Sequence, residues 1–298
     1  MLIAVFDIGG TSIKYGVVDR DGSFMEDGSF PTAAKQGGEA IIKKVINKSL
    51  EIKKIWKIDG ISISTAGQIN SENGVVVYAT DTIPDYTGMD IRSRVGKATG
   101  LKVKVENDVN CTALGEYWKG AANDTENFLC LTIGTGIGGS LFLNGQLYSG
   151  SSHAAAEIGH LTLYPGGKPC TCGNDGCLER YASSSALEEM INESFGSKIK
   201  VIEFFEKLRY GDKQSEAVFN QWLDDLTTGL KSVVHVLNPE LIVIGGGISA
   251  QGEFLLTHIK QSLFEKVMPN HRRKLDVRIA VHQNKANLLG AAYHYFAD

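Results

Sequence analysis

Leu2-Ile3-Ala4-Val5-Phe6-Asp7-Ile8-Gly9-Gly10-Thr11-Ser12-Ile13-Lys14-Tyr15-Gly16-Val17-Val18-Asp19 consists of two apolar runs joined by a glycine turn. Runs of this length that are rich in Val and Ile predict β-strands, so the stretch indicates a strand, a turn and a second strand. Residues 128–145 repeat this plan, again with a threonine inside the glycine turn. A plan that occurs twice predicts a duplicated hairpin unit and a protein with two similar halves.

Strand and helix patterns alternate through the rest of the chain. Hydrophobic periodicity predicts helices at 38–54, 109–118, 251–266 and 286–296, and strands at 59–64, 102–105 and 241–244. The stretch 184–229 has a largely helical pattern, and 230–237 should continue a helix that Asn238-Pro239 ends. We therefore predict a mixed α/β protein.

Three glycine-rich turns follow predicted strands, at Gly9-Gly10, at 134–139 and at Gly245-Gly246-Gly247. Glycine permits positive φ and lets backbone N–H groups approach an anion closely, so three such turns favour a polyphosphate over a monophosphate. The alternative is that these glycines only close hairpins. Neither a dinucleotide-binding G-x-G-x-x-G that opens a helix nor a Walker phosphate loop occurs in the right context.

Two aspartates stand at the ends of predicted strands. Asp7 comes beside the first glycine turn, where it could hold a phosphate-bound Mg²⁺ directly or through water. Asp108 lies between a short strand and a helix, and the N–H groups at the start of that helix favour its ionised form. An ionised aspartate there could accept a proton from a substrate hydroxyl while Asn107 binds neighbouring hydroxyls. The alternative for Asp108 is a plain helix cap.

Three of the five cysteines lie in the window Cys170-Thr171-Cys172-Gly173-Asn174-Asp175-Gly176-Cys177, ten residues after His160. Three thiolates and an imidazole predict a tetrahedral zinc site whose ligands are His160, Cys170, Cys172 and Cys177. The two glycines should let the loop fold tightly. Glu157 precedes this window and Glu179 follows it, so the metal loop would hold two carboxylates near each other. The alternative is a zinc ion that only stabilises the fold.

Composition excludes several classes of function. The chain has 298 residues and a net charge of −4, with no basic stripe and no long apolar run, which argues against a nucleic-acid or membrane partner. The N-terminus lacks the features of a signal peptide. Cys111 and Cys130 lie in apolar runs and are expected to be buried free thiols, so we predict a cytoplasmic protein.

Six motifs together resemble one family. They are Asp7-Ile8-Gly9-Gly10-Thr11, Glu106-Asn107-Asp108, the turn from Ile133 to Gly139, Glu157-Ile158-Gly159-His160, the cysteine window with Leu178-Glu179, and Gly245-Gly246-Gly247-Ile248. In this order and spacing the chain resembles the ROK sugar kinases (repressor, open reading frame, kinase) over nearly its whole length. The zinc-loop motif is the most specific, since Asp-x-Gly-Gly-Thr also occurs in the wider actin and Hsp70 superfamily.

The resemblance implies a fold of two ribonuclease-H-like α/β domains, of the actin and hexokinase superfamily, around a central cleft. The expected domains are 1–110, joined by the C-terminal helix 286–298, and 111–285, which contains the zinc loop. Family members are usually homodimers or homotetramers.

The resemblance also implies site residues. Asp108 would be the catalytic base toward the 6-hydroxyl of a sugar. The other sugar contacts would be Gly67, Asn107, Glu157, His160 and Glu179. ATP, with Mg²⁺ near Asp7, would be held by Gly9, Gly10, Thr11, Gly134, Thr135, Gly136, Gly138, Gly246 and Gly247. The zinc ligands would be the four predicted above.

Some residues depart from the family pattern, and they bear on which sugar is bound. Ala156 stands where glycine is common, Ser140 replaces a frequent glycine, and the sugar loop reads Thr65-Ala66-Gly67 where many relatives have Ala-Pro-Gly. The expected function is ATP-dependent phosphorylation of glucose or N-acetylmannosamine, and a β-glucoside is the alternative substrate. A sugar-responsive repressor would need a DNA-binding domain ahead of the motif that begins at Asp7. A third alternative is a sugar-binding protein without activity.

Overall fold

The computed structural model describes residues 1–80, 82–196, 199–282 and 285–297. Its strands are β1 (Leu2–Ile8), β2 (Ser12–Asp19), β3 (Phe24–Pro31), β4 (Gly60–Thr65), β5 (Gln68–Asn70), β6 (Val75–Tyr78), β7 (Lys102–Asn107), β8 (Phe128–Ile133), β9 (Ile137–Leu143), β10 (Gln146–Leu147), β11 (Leu241–Gly245) and β12 (Asp276–Ile279). Its helices are α1 (Gly38–Ile55), α2 (Ile91–Thr99), α3 (Asp108–Lys119), α4 (Glu179–Ala182), α5 (Ser184–Phe195), α6 (Val201–Arg209), α7 (Lys213–Leu237), α8 (Glu253–Lys266), α9 (Pro269–Arg272) and α10 (Ala286–Phe296). Short 3₁₀ helices cover Ala34–Gln36, Ile158–His160 and Gly247–Gln251.

The predicted elements are confirmed with small shifts at their ends. The helix predicted at 38–54 is α1, the one at 251–266 begins at Glu253, and the one at 286–296 is α10. The stretch predicted to be helical contains α5, α6 and most of α7. Helix α7 ends where Asn238 takes the left-handed conformation, with φ 47° and ψ 54°, directly before the proline.

The duplicated hairpin is confirmed by two sheets with the same plan. The first sheet has the order β3-β2-β1-β4-β7, and the second has the order β10-β9-β8-β11-β12. In each sheet the first strand of the hairpin pairs antiparallel with the second, β1 with β2 and β8 with β9. The later strands are parallel: β4 and β7 continue from β1, while β11 pairs with both β8 and β12.

The chain forms two compact units. Unit 1 contains Met1–Asp124, Gln146–Ala155 and Val281–Asp298, and unit 2 contains Thr125–Gly145 and Ala156–Ala280. The boundary predicted after residue 110 would divide α3, and the structure instead keeps the whole helix in unit 1 because it packs along α10. Helix α10 also lies in unit 1. Among the described residues, no helix has the length and apolar character needed to cross a membrane.

Each unit has its own hydrophobic core. In unit 1, one cluster includes Phe6, Ile41 and Ile63 between the first sheet and α1, and a second includes Val5, Cys111 and Ala291 on the other face. In unit 2, the cluster includes Leu131, Trp222 and Ile259, which are fully buried. The predicted burial of Cys111 and Cys130 as free thiols is confirmed. Each core therefore fixes one sheet against its own helices.

Helices α3 and α10 approach each other so closely that only glycine fits at the crossing. A Cβ on Gly290 would lie 1.7 Å from the carbonyl oxygen of Cys111, and one on Gly115 would lie 2.3 Å from that of Ala286. Both distances are far below van der Waals contact, so a side chain at either position must push the helices apart. This packing places α10 against the helix that begins at Asp108.

Gly290→Ala should lower the free energy of unfolding by roughly 1–3 kcal/mol, because the added methyl group overpacks the helix crossing. The matched control is Gly96→Ala in α2, where the new Cβ would meet its nearest neighbour, the Leu101 carbonyl oxygen, at 3.5 Å. The control should be neutral or stabilising by up to ~1 kcal/mol, since alanine favours a helix more than glycine does. Urea unfolding followed by circular dichroism measures both, and equal stability of the two variants would contradict this account.

Candidate active site and metal centre

The parallel strands of the first sheet bring polar residues to one edge. Asp7 lies opposite Ser64 in the register of β1 and β4, and Thr65 lies opposite Asn107 in the register of β4 and β7. Because parallel strands end at the same edge, residues that are far apart in sequence meet there. This edge also carries Asp108, the first residue of α3.

Asp7 is buried and is held by side chains from two other elements. The Ser64 hydroxyl donates to its Oδ1 at 2.9 Å, and the Asn287 amide of α10 donates to the same oxygen at 2.9 Å. The Lys14 ammonium lies 3.9 Å from Oδ2. Asn287 in turn accepts a hydrogen bond from Thr112 of α3. Sequence reasoning missed Asn287, since an isolated asparagine at the start of an apolar helix gives no signal of a long-range contact.

The helix cap is Asn107, not Asp108. The Asn107 Oδ1 accepts from the backbone N–H of Val109 at 2.8 Å and of Asn110 at 3.0 Å. Its amide donates to the Gly67 carbonyl at 2.8 Å and to the Asp108 carboxylate at 3.0 Å. Gly67 has φ +100°, a conformation that favours glycine. Asn107 thus ends β7, begins α3 and orients both the sugar loop and the predicted base.

Asp108 is partly buried, and its environment favours the neutral acid. Burial first, and then the negative charge of Asp7, raise the pKa of Asp108 from 3.8 to about 7, against the opposing effect of its hydrogen bonds with Val109 and Asn107. A carboxyl group with a pKa near neutrality can both accept and release a proton at physiological pH, as a general base must. Two neighbouring carboxylates would also suit the oxygen preference of Mg²⁺, whose charge would offset their repulsion.

Two of the glycine turns meet at the corresponding edge of the second sheet. Parallel strands β8 and β11 end there, so Gly134 and Gly246 follow neighbouring strands. A Cβ on Gly246 would lie 2.4 Å from the Ile133 carbonyl oxygen, so a side chain would not fit. By contrast, a Cβ on Gly10, Gly134 or Gly247 would have nothing within 4 Å, which leaves space beside the backbone for a ligand. Thr11 and Thr135 are exposed in these turns.

Most of these glycines do not use the positive φ that glycine permits. Of the glycines predicted to bind ATP, only Gly246, with φ 83°, has a left-handed backbone. Gly138 lies inside β9, paired with Thr132, and not in a turn. Gly136 is glycine for a different reason, because a Cβ there would lie 2.5 Å from a carboxylate oxygen of Glu179. These turns are therefore open because they lack side chains, not because their backbone is unusual.

The cysteine loop folds as its glycines predicted. Gly173 has φ 91° and Gly176 has φ 77°, and a Cβ on Gly176 would lie 1.7 Å from the Tyr164 carbonyl oxygen. The Cys170 N–H donates to the Asn174 carbonyl at 2.8 Å, and the Gly173 N–H donates back to the Cys170 carbonyl at 3.1 Å. This tight turn brings the buried Cys177 next to the other two cysteines.

The four predicted metal ligands come together in unit 2. One ligand atom from each of His160, Cys170, Cys172 and Cys177 lies within 4.8 Å of all the others. Cys172 and Cys177 have their sulfurs 3.6 Å apart, and the His160 Nδ1 lies 3.6 Å from the Cys170 sulfur. Two thiolates on one tetrahedral zinc ion, with bonds of about 2.3 Å, stand roughly 3.8 Å apart. The donor set and its spacing therefore fit zinc.

Glu179 joins the metal loop to the second glycine turn. Its Oε1 lies 3.2 Å from the Cys170 sulfur and 3.8 Å from the His160 Nδ1, and its Oε2 accepts from the Ile137 N–H at 3.4 Å. Glu157 is exposed and precedes the 3₁₀ helix that ends at His160. Ala156, the departure from the family pattern, has φ 61° and occupies a conformation in which glycine would be unstrained.

The fold is that of an α/β protein of the actin and hexokinase type. It has two five-stranded sheets that share one strand order, an edge that bears carboxylates, and open glycine turns. The model of the ROK family matches residues 3–296, and the chain belongs to that family.

Several relatives of this chain are named as sugar kinases. The glucokinase of Thermotoga maritima is 32% identical over 300 residues, which cover 96% of this chain and 94% of the relative. The beta-glucoside kinase of Listeria innocua is 32% identical over 303 residues, which cover 100% and 98%. The crystal structure of a ROK family glucokinase from Streptomyces griseus in complex with glucose and AMPPNP matches with a TM-score of 0.83 and 30% identity, over 98% of each chain. This chain is an ATP-dependent sugar kinase.

Purified protein should contain about one zinc ion per chain, and Cys172→Ser should lose most of it, because a neutral hydroxyl is a much weaker zinc ligand than a thiolate. Asp175→Asn is the control, since Asp175 is an exposed loop residue outside the ligand set. Metal content is measured by inductively coupled plasma mass spectrometry after exhaustive dialysis. Retention of full zinc content by Cys172→Ser would remove the proposed site.

The Asp108 carboxyl group should titrate near pH 7 in the metal-free protein, and Asp7→Asn should lower that midpoint because it removes a neighbouring negative charge. Carboxyl ¹³C shifts of labelled protein, with Asp108→Asn for assignment, measure both. Asp21→Asn, at an exposed turn, is the control and should leave the midpoint unchanged. A midpoint near 4 in the parent protein would contradict the assignment.

The free energy of unfolding should depend on pH because of the same shift in the pKa of Asp108. Burial raises the folded-state pKa above the unfolded value, so wild-type stability falls as pH rises from about 4 to about 7. Asp108→Asn should therefore be more stable than wild type by ~1–3 kcal/mol at pH 8, and this advantage should disappear below pH 4.

Proposed function

We propose that this kinase transfers the γ-phosphoryl group of ATP to the 6-hydroxyl of a hexose, with Asp108 as the general base. The observation that carries the proposal is the partly buried Asp108 carboxyl group, which Asn107 holds at the start of α3 and whose pKa burial first, and then Asp7, raise to about 7. Relatives named glucokinase support glucose as a substrate. N-acetylmannosamine is the other hexose that the sequence resemblance favours.

In unit 1, Asp108 would take the proton of the 6-hydroxyl as that oxygen attacks the γ-phosphorus. The bond between the γ-phosphorus and the bridging oxygen breaks, and ADP leaves with the electron pair. Gly67 and Asn107 would bind other hydroxyls of the sugar. Asn107 contributes mainly through orientation, since its amide already donates to Gly67 and Asp108. Positioning of this kind provides most of the catalysis in phosphoryl transfer.

In unit 2, Glu157, His160 and Glu179 would bind sugar hydroxyls. The zinc ion would hold two of these side chains, His160 and Glu179, in place. His160 is itself in the ligand set, and Glu179 lies beside Cys170 and His160. A carboxylate held in place can discriminate between sugars by hydroxyl geometry, because a mismatched sugar leaves a buried polar group without a partner. Zinc would thus be structural and would supply no electrophile to the reaction.

The nucleotide would be held by the glycine turns. The proposed contacts in unit 1 are Gly9, Gly10 and Thr11. Those in unit 2 are Gly134, Thr135, Gly136, Gly138, Gly246 and Gly247. The open space beside Gly10, Gly134 and Gly247 supports this role, since phosphate oxygens could approach the backbone there. Asp7 would hold Mg²⁺, which offsets the charge that develops on the phosphates. We also propose a homodimer or homotetramer, and a cytoplasmic location in keeping with the buried free thiols.

A β-glucoside is the second candidate substrate, favoured by the relatives named beta-glucoside kinase. Glucose, N-acetylmannosamine and cellobiose, each at several concentrations, should separate the candidates in a coupled assay for ADP release. Phosphorylation of a free hexose at the highest kcat/KM supports the main proposal, and preference for cellobiose supports the alternative. Turnover on none of the three sugars would contradict both substrate proposals.

Asp108→Asn should reduce kcat on the preferred sugar by about 10²-fold or more, because general base catalysis typically contributes that much, while the sugar Kd stays close to wild type. The same assay gives kcat, and isothermal titration calorimetry gives the Kd. Asp21→Asn is again the control and should keep full turnover. Normal kcat in Asp108→Asn would eliminate Asp108 as the base but would leave the sugar kinase assignment intact.

A further inference from the structure

The sugar loop, Thr65-Ala66-Gly67, lacks the proline that many relatives carry at its middle position. Proline fixes its own φ and so reduces the number of conformations that are open to a loop. A loop without proline loses more conformational entropy when it becomes ordered, and other contacts must offset that loss. The structure supplies such contacts on both sides of Ala66.

On one side, the Thr65 hydroxyl pairs with the hydroxyl of Tyr86, which lies between β6 and α2. The two oxygens are 2.7 Å apart, and both residues are buried. The Thr65 oxygen also lies 3.5 Å from the Ala66 carbonyl oxygen. Of these contacts, donation from Tyr86 to Thr65 and from Thr65 to the Ala66 carbonyl is the combination that uses both hydroxyl protons. Tyr86 is thus connected to the middle of the loop.

Tyr86 is itself held firmly by the core of unit 1. Burial first raises the pKa of Tyr86 to about 12, so its phenol stays neutral at physiological pH. The segment before it is tied to the start of α1, where the Gly38 N–H donates to the Pro84 carbonyl at 2.9 Å. A Cβ on Gly38 would lie 2.7 Å from the Tyr86 ring, so the ring lies directly against this helix. The Tyr86 hydroxyl is therefore a fixed point for the loop.

On the other side, Gly67 is held through its backbone. Its carbonyl accepts from the Asn107 amide at 2.8 Å. A Cβ on Gly67 would lie 2.8 Å from the Tyr78 carbonyl oxygen of β6, so the backbone of the loop lies close to that strand. These contacts fix the end of the loop, and the contact between Thr65 and Tyr86 fixes its start.

We propose that Tyr86 is a positioning residue for the sugar, because through Thr65 it holds the loop in the conformation in which Gly67 binds a sugar hydroxyl. This inference rests on the proposed contact between Gly67 and the sugar. A loop that is ordered in advance gives a higher sugar affinity, because less entropy is lost when the sugar binds. Tyr86 does not touch the reacting atoms in this role, so its loss should raise the KM for the sugar and leave kcat unchanged.

The first test is the order of the loop in the sugar-free protein. Ala66-Gly67 is the one Ala-Gly pair in the sequence, so ¹³C at the alanine carbonyl and ¹⁵N in glycine together isolate the Gly67 amide by NMR. Its order parameter should lie near the rigid-backbone value of about 0.85 in the wild type and should fall toward the flexible range, below about 0.6, in Tyr86→Phe. Thr65→Val removes the same hydrogen bond and should have the same effect.

The second test is kinetics on glucose, N-acetylmannosamine and cellobiose, with the sugar that the wild type uses at the highest kcat/KM. Tyr86→Phe should raise the KM for this sugar about fivefold, the effect of one hydrogen bond, and should leave kcat and the KM for ATP unchanged. Thr65→Val combined with Tyr86→Phe should raise the KM no further, since both changes remove one interaction.

Tyr295→Phe is the matched control. Tyr295 is a buried tyrosine of α10, and its hydroxyl donates to the Asp59 carbonyl at 3.2 Å, directly before the opposite end of β4. This variant loses a similar hydrogen bond, and it should keep both the order parameter of Gly67 and the KM of the wild type.

An unchanged order parameter of Gly67 in Tyr86→Phe would overturn the proposal. An unchanged KM for the sugar, or an equal rise of this KM in Tyr295→Phe, would overturn it as well. A wild-type protein that turns over none of the three sugars would instead contradict the proposed function, and the order parameter of Gly67 would still decide whether Tyr86 holds the loop.

Discussion

The buried carboxylate of Asp7 ties together the elements on which unit 1 depends. Its Oδ1 accepts hydrogen bonds from Ser64 of β4 and Asn287 of α10, and Asn287 also accepts from Thr112 of α3. One oxygen atom therefore connects the first strand, the next parallel strand and the last helix of the chain. The close crossing of α3 and α10 makes this possible, because glycines at positions 115 and 290 let the helix backbones approach. Breaking the crossing would disturb both the core and the carboxylate edge.

At this edge of the first sheet, the position of Asp108 is unfavourable for folding but suits the proposed activity. Placing Asp108 beside Asp7 in a partly buried position costs folding energy, since both carboxylates prefer solvent or a cation. Asn107 reduces this cost by donating to Asp108 while it caps α3. A residue whose position is unfavourable for folding, yet fully supported by its neighbours, is typical of an active site. The energetic cost at Asp108 is thus what the proposed role of this residue as the general base predicts.

In unit 2, several candidate site residues lie on an irregular loop. The segment between the 3₁₀ helix at Ile158–His160 and α4 has little regular structure, and such loops are usually more mobile than the elements that they connect. Four potential ligand atoms within 4.8 Å of one another, together with glycines at 173 and 176, would give it a rigid shape if metal were bound. Glu179 connects this loop to the second glycine turn, because its Oε2 accepts a hydrogen bond from the Ile137 N–H at 3.4 Å.

The sequence by itself determined the features that depend on local chemistry. The repeated hairpin, the approximate helix limits and the turns at Gly173 and Gly176 follow from periodicity, residue type and short spacing, and the structure agrees with them. The structure also brings together the side chains of His160, Cys170, Cys172 and Cys177. Tertiary structure alone decided what depends on distant partners. Asn287 reaches Asp7 across 280 positions, and the pKa of Asp108 depends on burial and on Asp7. The glycine conformations of the phosphate turns and the assignment of α3 to unit 1 were also beyond the sequence, because backbone angles and helix packing are set by the whole fold. Local sequence patterns indicate which contacts a residue is able to make. Which of these contacts form depends on the tertiary structure, because it determines the distant residues that come close.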